Sequence, residues 1–222
     1  MTLDLTVDEL LTSTRSVRKR LDFDRPVPRE VLMECLDLAL QAPTGSNAQG
    51  WQFLFVEDPP AKKKALADIY RANGTPYLNL PAPVRGDMRD AQMDSVLSSA
   101  KYLNENLEKA PVFLIPCLEG RPPDGAPPAG MQASYWGGSL IPAAWSFMLA
   151  LRSRGLGSAY TTLHLIGDGE KQAAELLGIP PFEHYTQGGL WPIAYTKAPT
   201  SSPPSGCPPS SSPTGTVGDS AG

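Results

Sequence analysis

Ala42-Pro43-Thr44-Gly45-Ser46-Asn47-Ala48-Gln49-Gly50-Trp51 separates two segments of different periodicity. Before it, Pro28 to Gln41 gathers Val31, Leu32, Cys35, Leu36 and Leu38–Leu40 on one helical face, and Pro43 stops the helix. After it, Gln52 to Val56 (QFLFV) reads as a short strand bounded by Trp51 and by Asp58-Pro59-Pro60. The turn between them is built from Gly and short polar side chains, which bring backbone and amide donors within reach of a planar, heteroatom-rich ligand. Asn47 and Gln49 can each donate and accept a hydrogen bond. An ordinary connection from helix to strand is the competing account of the same residues.

The alternation continues on both sides. Val7 to Leu11 opens a short helix with Thr6 as N-cap and Glu9 at the reciprocal position. Lys62 to Arg71 is a helix with its charge on one side, Asn73 to Gly86 a Pro/Gly-interrupted loop, and Met88 to Leu107 a further helix. Val112 to Cys117 (VFLIPC) is a second strand whose end Pro116 weakens. Arg121 to Gly130 is another loop, and Met131 to Arg154 is apolar on most sides, as a central buried helix is. Ser158 to Thr161, Lys171 to Leu177 and Leu190 to Thr196 read as strand, helix and strand. Helices dominate and the few strands lie far apart, a pattern of the α+β or α/β classes and not of a barrel or sandwich.

Composition narrows the functional classes. The 222 residues fit one domain, and 41% apolar content is enough for a core. Lys+Arg 19 against Asp+Glu 23 gives a net charge of −4, which speaks against nucleic acid as a partner. No run reaches the roughly 18 apolar residues of a membrane span. The N-terminus MTLDLTVDELLTSTR lacks the basic start and apolar centre of a signal peptide, so a cytoplasmic protein is expected. Cys35, Cys117 and Cys207 are widely spaced and read as packing or tail residues, not as a disulfide framework or zinc knuckle. Two histidines, His164 and His184, leave few ways to build a metal site or a Ser-His-Asp triad.

Two further segments carry chemistry. Arg15-Ser16-Val17-Arg18-Lys19-Arg20 is the densest cationic run, and two arginines flanking a hydroxyl can converge on one phosphate. A solvated basic face is the alternative. Gly155-Leu156-Gly157-Ser158-Ala159-Tyr160-Thr161-Thr162-Leu163 lacks the glycine spacing of a dinucleotide fingerprint. Gly155 reads as a helix C-cap, and the Thr pair at a strand end can bond a ring or its polyhydroxyl chain.

Together these segments resemble the nitroreductase family of FMN-dependent oxidoreductases. Thr-Arg-Ser-Val-Arg is similar to its phosphate-binding motif, and Ala-Pro-Thr-Gly-Ser-Asn-Ala-Gln-Gly-Trp-Gln to its second flavin segment. Gly-Leu-Gly-Ser-Ala-Tyr-Thr-Thr followed by Glu-Leu-Leu-Gly-Ile-Pro resembles its late flavin-contact strand and helix. The resemblance spans about residues 7–197. It implies an α+β fold, a mixed sheet wrapped by helices, and an intertwined homodimer with FMN at the subunit interface. Arg15, Ser16, Val17 and Arg18 would then hold the FMN phosphate; Pro43, Thr44, Asn47 and Gln49 would flank ring and ribityl; Thr161, Thr162 and Leu163 would add the late contacts. NADH or NADPH would supply electrons, and a nitroaromatic or quinone would accept them in a ping-pong cycle that needs no side-chain nucleophile. An oxidase, dehalogenase or dehydrogenase of a small metabolite, or a catalytically degenerate flavin carrier, are the rival readings. Tyr135, Trp136 and Trp145 could line the acceptor pocket or simply pack the core. Two departures from the pattern stand out: Gly50 where Pro often precedes Trp, and Thr14 where many members have a further Arg.

Residues 198–222 contain six Pro, seven Ser, four Gly and three Thr, 20 of 25 positions, a composition that reads as disordered. The family usually ends instead with a late basic phosphate ligand and a dimer-clasping arm. With freely chosen codons, one added base ahead of Ala198 shifts the frame to Gly-Thr-Asp-Phe-Lys-Pro-Ala-Lys-Arg-Val-Pro-Ala-Phe-Val-Val-Pro-His-Trp-Asp-Arg-Trp and then a stop. The tail is therefore expected to be a frameshifted arm, with a genuine Pro/Ser-rich linker as the alternative. Sequencing the encoding DNA decides between them: codons incompatible with that shift eliminate the frameshift.

Overall fold

Val112–Glu119 is the most continuously apolar strand of the chain, and in the computed structural model it is the central one. The structure describes residues 2–57, 59–121, 139–180 and 184–197. In chain order the elements are α1 (Val7–Ser13), β1 (Leu21–Asp22), α2 (Arg29–Ala39), β2 (Trp51–Val56), α3 (Pro60–Leu78), α4 (Met88–Asn106) and β3 (Val112–Glu119). There follow α5 (Leu140–Ser153), β4 (Leu156–Ser158), α6 (Gly169–Leu177), β5 (Tyr185–Gln187) and β6 (Trp191–Thr196). The strands form a sheet of order β1-β6-β3-β2, with β4 also on β6 and β5 also on β3. Every pairing between named strands is antiparallel, and a single parallel bridge, Ser16 to Ser158, adds the mixed character.

Both faces of β3 are covered, which is why its sequence runs apolar without alternation. Phe113, Ile115 and Cys117 pack with Leu66, Tyr70 and Leu103 of α3 and α4. Val112 and Leu114 pack with Leu32, Cys35 and Leu36 of α2 and with Phe147 and Leu151 of α5. Pro116 survives in this central strand because its second neighbour changes there. Its carbonyl accepts from the Gly188 N–H at 2.8 Å, and Gly188 lies in the bend between β5 and β6 where no ladder donor is needed.

Several expectations are met in detail. The Thr6 hydroxyl accepts from the Glu9 N–H at 3.2 Å, and the Glu9 carboxylate accepts from the Thr6 N–H at 2.8 Å, a complete capping box. Helix α2 buries Leu32, Cys35, Leu36 and Ala39, but Leu38 is 52% exposed and does not share that face. Gly155 follows α5 with φ of 75°, the left-handed turn a glycine cap supplies.

Other boundaries differ. Helix α3 runs on through Asn73, Gly74 and Pro76, where a loop was expected. Gly74 is required there: a Cβ would lie 2.9 Å from Asn104 Oδ1 and from Leu163 Cδ1, so α3 presses against its neighbours at that turn. Packing thus overrides the breaker signal. The strand expected at Ser158–Thr161 is β4 at Leu156–Ser158, and Thr161 pairs only through an isolated bridge to Leu190. The short strands β1 and β5 were not anticipated. Of the helix expected from Met131, the part from Leu140 to Ser153 is present; residues 131–138, most of the Arg121–Gly130 loop and the 198–222 tail lie outside the described residues.

A buried polar chain ties the late elements together. Arg121 meets both carboxylate oxygens of Glu170 at 3.0 Å, the Gln187 N–H donates to that carboxylate at 2.9 Å, and Gln187 Oε1 faces His164 Nε2 at 3.2 Å. His164 is fully buried, and burial pushes its imidazole down to about 4 from the ordinary 6.5.

The unfolded chain therefore takes up a proton near pH 6.5 that the folded chain refuses until about pH 4. Stability is full above 6.5 and is lost as pH falls from 6.5 toward 4, by an amount of order 3 kcal/mol. Urea unfolding at pH 7.5, 6 and 5 is expected to show this slope, and His164→Gln to flatten it. Gly157→Ala tests the other constraint. A Cβ there would lie 2.8 Å from Thr196 Cγ2 and 2.9 Å from Val17 Cβ, so a loss of about 1–3 kcal/mol is expected in thermal melts.

Candidate functional site

The basic segment Arg15–Arg20 enters the fold through one isolated parallel bridge. The Val17 N–H donates to the Ser158 carbonyl at 2.8 Å, beside the Ser16–Ser158 bridge. Val17 turns into the core, 6% exposed, while Ser16 is exposed. Arg18 is half-buried and donates to Ser99 Oγ on α4 at 3.3 Å; burial lowers its affinity for its proton, and the nearby Tyr70 partly offsets this. Among the described residues no carboxylate pairs with Arg18. Arg15 donates to the Thr12 carbonyl at 2.8 Å, and Lys19 to Ser98 Oγ at 2.7 Å.

The late segment meets the same corner. Tyr70, 2% exposed, bonds Thr161 Oγ1 through its hydroxyl at 2.8 Å, and burial raises its phenol pKa. The backbone of Thr161 is anchored to Leu190 in both directions, at 3.0 and 2.8 Å. Thr162 is exposed at the start of the short turn Leu163–Leu165, and Leu163 packs against the core and Gly74. So Ser16, Arg18, Thr161, Thr162 and Leu163 share one corner, held by Tyr70, Ser99 and Ser158.

The loop Pro43–Gln49 lies elsewhere. Ile193 of β6 pairs with Val112 on one edge and Ser158 on the other, so β4 and the basic segment lie on the far side of β6 from β3. The loop feeds β2, on the opposite edge of β3, about four strand spacings or ~19 Å from the basic segment across the sheet. Ser46, Asn47 and Gln49 hold φ of 52°, 54° and 49°, a left-handed conformation unusual for non-glycine residues. Gln49 Nε2 donates to Asn47 Oδ1 at 2.7 Å, the Gln49 N–H to Thr44 Oγ1 at 3.2 Å, and the Gly45 N–H to Ser139 Oγ at 3.3 Å. Pro43, Asn47 and Gln49 are exposed.

The sequence reading missed Tyr70, Ser99 and Ser139. Tyr70 carried a usable signal: it falls on the buried stripe Leu66, Ala67, Tyr70, Gly74, and a phenol on such a stripe needs a partner for its hydroxyl. Trp145 is 42% exposed on α5, whereas Tyr135 and Trp136 lie outside the described residues. Cys35 and Cys117 are free and buried, and burial pushes their thiols up to about 11 and about 12, as packing residues require. Among the described residues no cluster of His, Cys, Asp and Glu could hold a metal, and no helix is long and apolar enough to cross a membrane.

Comparison with known proteins agrees with this architecture. An iodotyrosine deiodinase of Thermotoga neapolitana is 30% identical over 148 residues, 67% of this chain and 69% of that protein. Among solved structures, an iodotyrosine deiodinase bound to FMN and 3-iodo-L-tyrosine superposes with a TM-score of 0.65 at 23% identity, over 87% of this chain and 91% of that one. A point mutant of an FMN and NADPH-dependent nitroreductase, NfnB, derived from Sphigopyxis sp. strain HMH, superposes with a TM-score of 0.61 at 22% identity, over 88% and 91%. These two superpositions show the fold. The sequence profile of the Nitroreductase family matches residues 11–195, and the chain belongs to that family.

Proposed function

We propose that the protein is an FMN-dependent oxidoreductase that passes electrons from NADH or NADPH to a flat, electron-poor acceptor such as a nitroaromatic or quinone. The observation that carries this reading is Arg18: a half-buried guanidinium with no carboxylate among the described residues, beside the exposed Ser16. That donor set suits a phosphate monoester. Arg15, Ser16 and Arg18 would hold the phosphate, with Thr161 and Thr162 along the ribityl chain and ring. When bound, FMN supplies the hydride chemistry.

The residues of the chain then bind and orient. Backbone and amide donors of Thr44, Asn47 and Gln49 offer hydrogen bonds to a polar ring edge. No side chain is needed as nucleophile, and His164 is too deeply buried to serve as one. Donor and acceptor share one ring face, so they take turns and initial-rate plots run parallel.

Homodimerisation belongs to the same proposal. The Pro43–Gln49 loop and the basic corner lie on opposite sides of the sheet, and a second copy can bring one to the other. Ile141 and Trp145, one turn apart on α5 and 38% and 42% exposed, support a protein contact there.

A reductive dehalogenase is the second reading, favoured by the deiodinase relative that aligns with 67% of this chain. It uses the same site and differs only in the acceptor.

Purified protein given excess FMN is expected to retain it and to bleach on addition of NADH or NADPH. Arg18→Ala is expected to weaken FMN retention by roughly 10- to 100-fold, the worth of a charge-assisted bond, as read by flavin fluorescence. Failure of the wild-type chain to take up FMN defeats the reading. Steady NAD(P)H oxidation with a nitroaromatic or quinone supports the first acceptor class, and iodide release from 3-iodotyrosine the second. Light scattering is expected to give twice the 23.8 kDa protomer mass.

A further inference from the structure

At the carboxyl end of α5, away from the loop before β2, three guanidinium groups surround a hollow. Arg25, Arg152 and Arg154 line a cavity of about 510 Å3 together with Asp4, Tyr195 and Thr196. The N-terminal stretch forms part of its wall, fixed there by the Leu3 N–H donating to the Ser153 carbonyl at 2.6 Å. Asp4 is the one acidic residue in the lining, in a chain whose net charge is −4.

Helix geometry explains part of this. Cations in the last turn complement the partial negative charge of a helix end, which accounts for Arg152. Arg154 also meets Glu34, at 3.4 Å, and its side chain is 14% exposed. Arg25 is different: it comes from the turn between β1 and α2, lies flat over the Tyr195 ring at 3.5 Å, and so brings a guanidinium and an aromatic face to the same wall. Arg20 adds charge at the rim. Its carbonyl accepts from the Lys197 N–H at 2.9 Å, next to Thr196; burial, and secondarily the charge of Arg20, makes the guanidinium groups of Arg152 and Arg15 less basic. Lys197 at the same rim faces Asp22 and Asp24 at 3.9 and 3.7 Å. Arg25 and Arg152 come from separate elements and line one hollow, so an anion placed between them is attracted by both.

We propose that this cavity binds a phosphate ester, with Arg25 and Arg152 as its principal ligands. Planar guanidinium forks match phosphate oxygens. The site is read from charge and shape alone, whereas the identity of the ester rests on the flavin reading above. The phosphates of the nicotinamide donor have this chemistry; the single phosphate of FMN is taken by Arg15, Ser16 and Arg18 in that reading.

Calorimetric titration of the full chain with inorganic pyrophosphate tests the site directly. Binding that weakens with salt is expected, and Arg25→Gln and Arg152→Gln are each expected to lower the affinity roughly tenfold. Arg25 is exposed, so its variant keeps the test open if the Arg152 variant melts early. Absence of pyrophosphate binding, or equal affinity in wild type and in a folded Arg25→Gln variant, overturns the proposal. A rise in KM for NADPH but not NADH in the Arg25→Gln variant assigns the donor's 2′-phosphate, and a fall in its FMN affinity with riboflavin affinity unchanged overturns the donor assignment. A wild-type chain that takes up no FMN defeats the flavin reading, while the pyrophosphate titration still judges the cavity.

Discussion

Residue 157 has no side chain, and the basic corner depends on that. Gly157 is wedged between Thr196 on β6 and Val17 on the incoming basic segment, with no room for even a methyl group. Because the backbones approach so closely there, the Val17 N–H can reach Ser158, and Val17 can fill the core while Ser16 stays exposed. With Val17 turned inward beside the bridge, Arg18 reaches α4, where Ser99 receives it. The chain of cause runs from one missing Cβ to the orientation of a guanidinium.

The same corner is braced from behind by buried and partly buried polar groups. Tyr70 holds Thr161 from α3, and the Arg121–Glu170–Gln187–His164 chain holds the turn that follows Thr162. Both braces use buried polar groups, which are costly when unmade and rigid when satisfied. Short polar contacts of this kind suit a site that must present hydroxyls and amides in fixed directions without a catalytic side chain.

What could be read from the residues follows the range of the forces involved. The α1 cap, the β2 run and the Gly155 turn are local, and each was visible in a few neighbouring positions. The continuation of α3 past Gly74 and Pro76 was not, because only contact with Asn104 and Leu163 turns that glycine from a breaker into a requirement. The strands β1 and β5 are two and three residues long and exist through their partners. The motif segments were found as sequence, but the separation of the Pro43–Gln49 loop from Arg18 is a property of strand order, which no single segment encodes. Tyr70 lay in plain view on a helical stripe, inside a helix read only for its one-sided charge.

Strand β2 pairs with β3 alone among the described strands, and it carries Trp51, Phe53, Leu54 and Phe55 along that border. Trp51–Val56 contains neither Pro nor Lys, the residues that blunt a sheet edge, so its outer backbone groups suit the addition of a further strand.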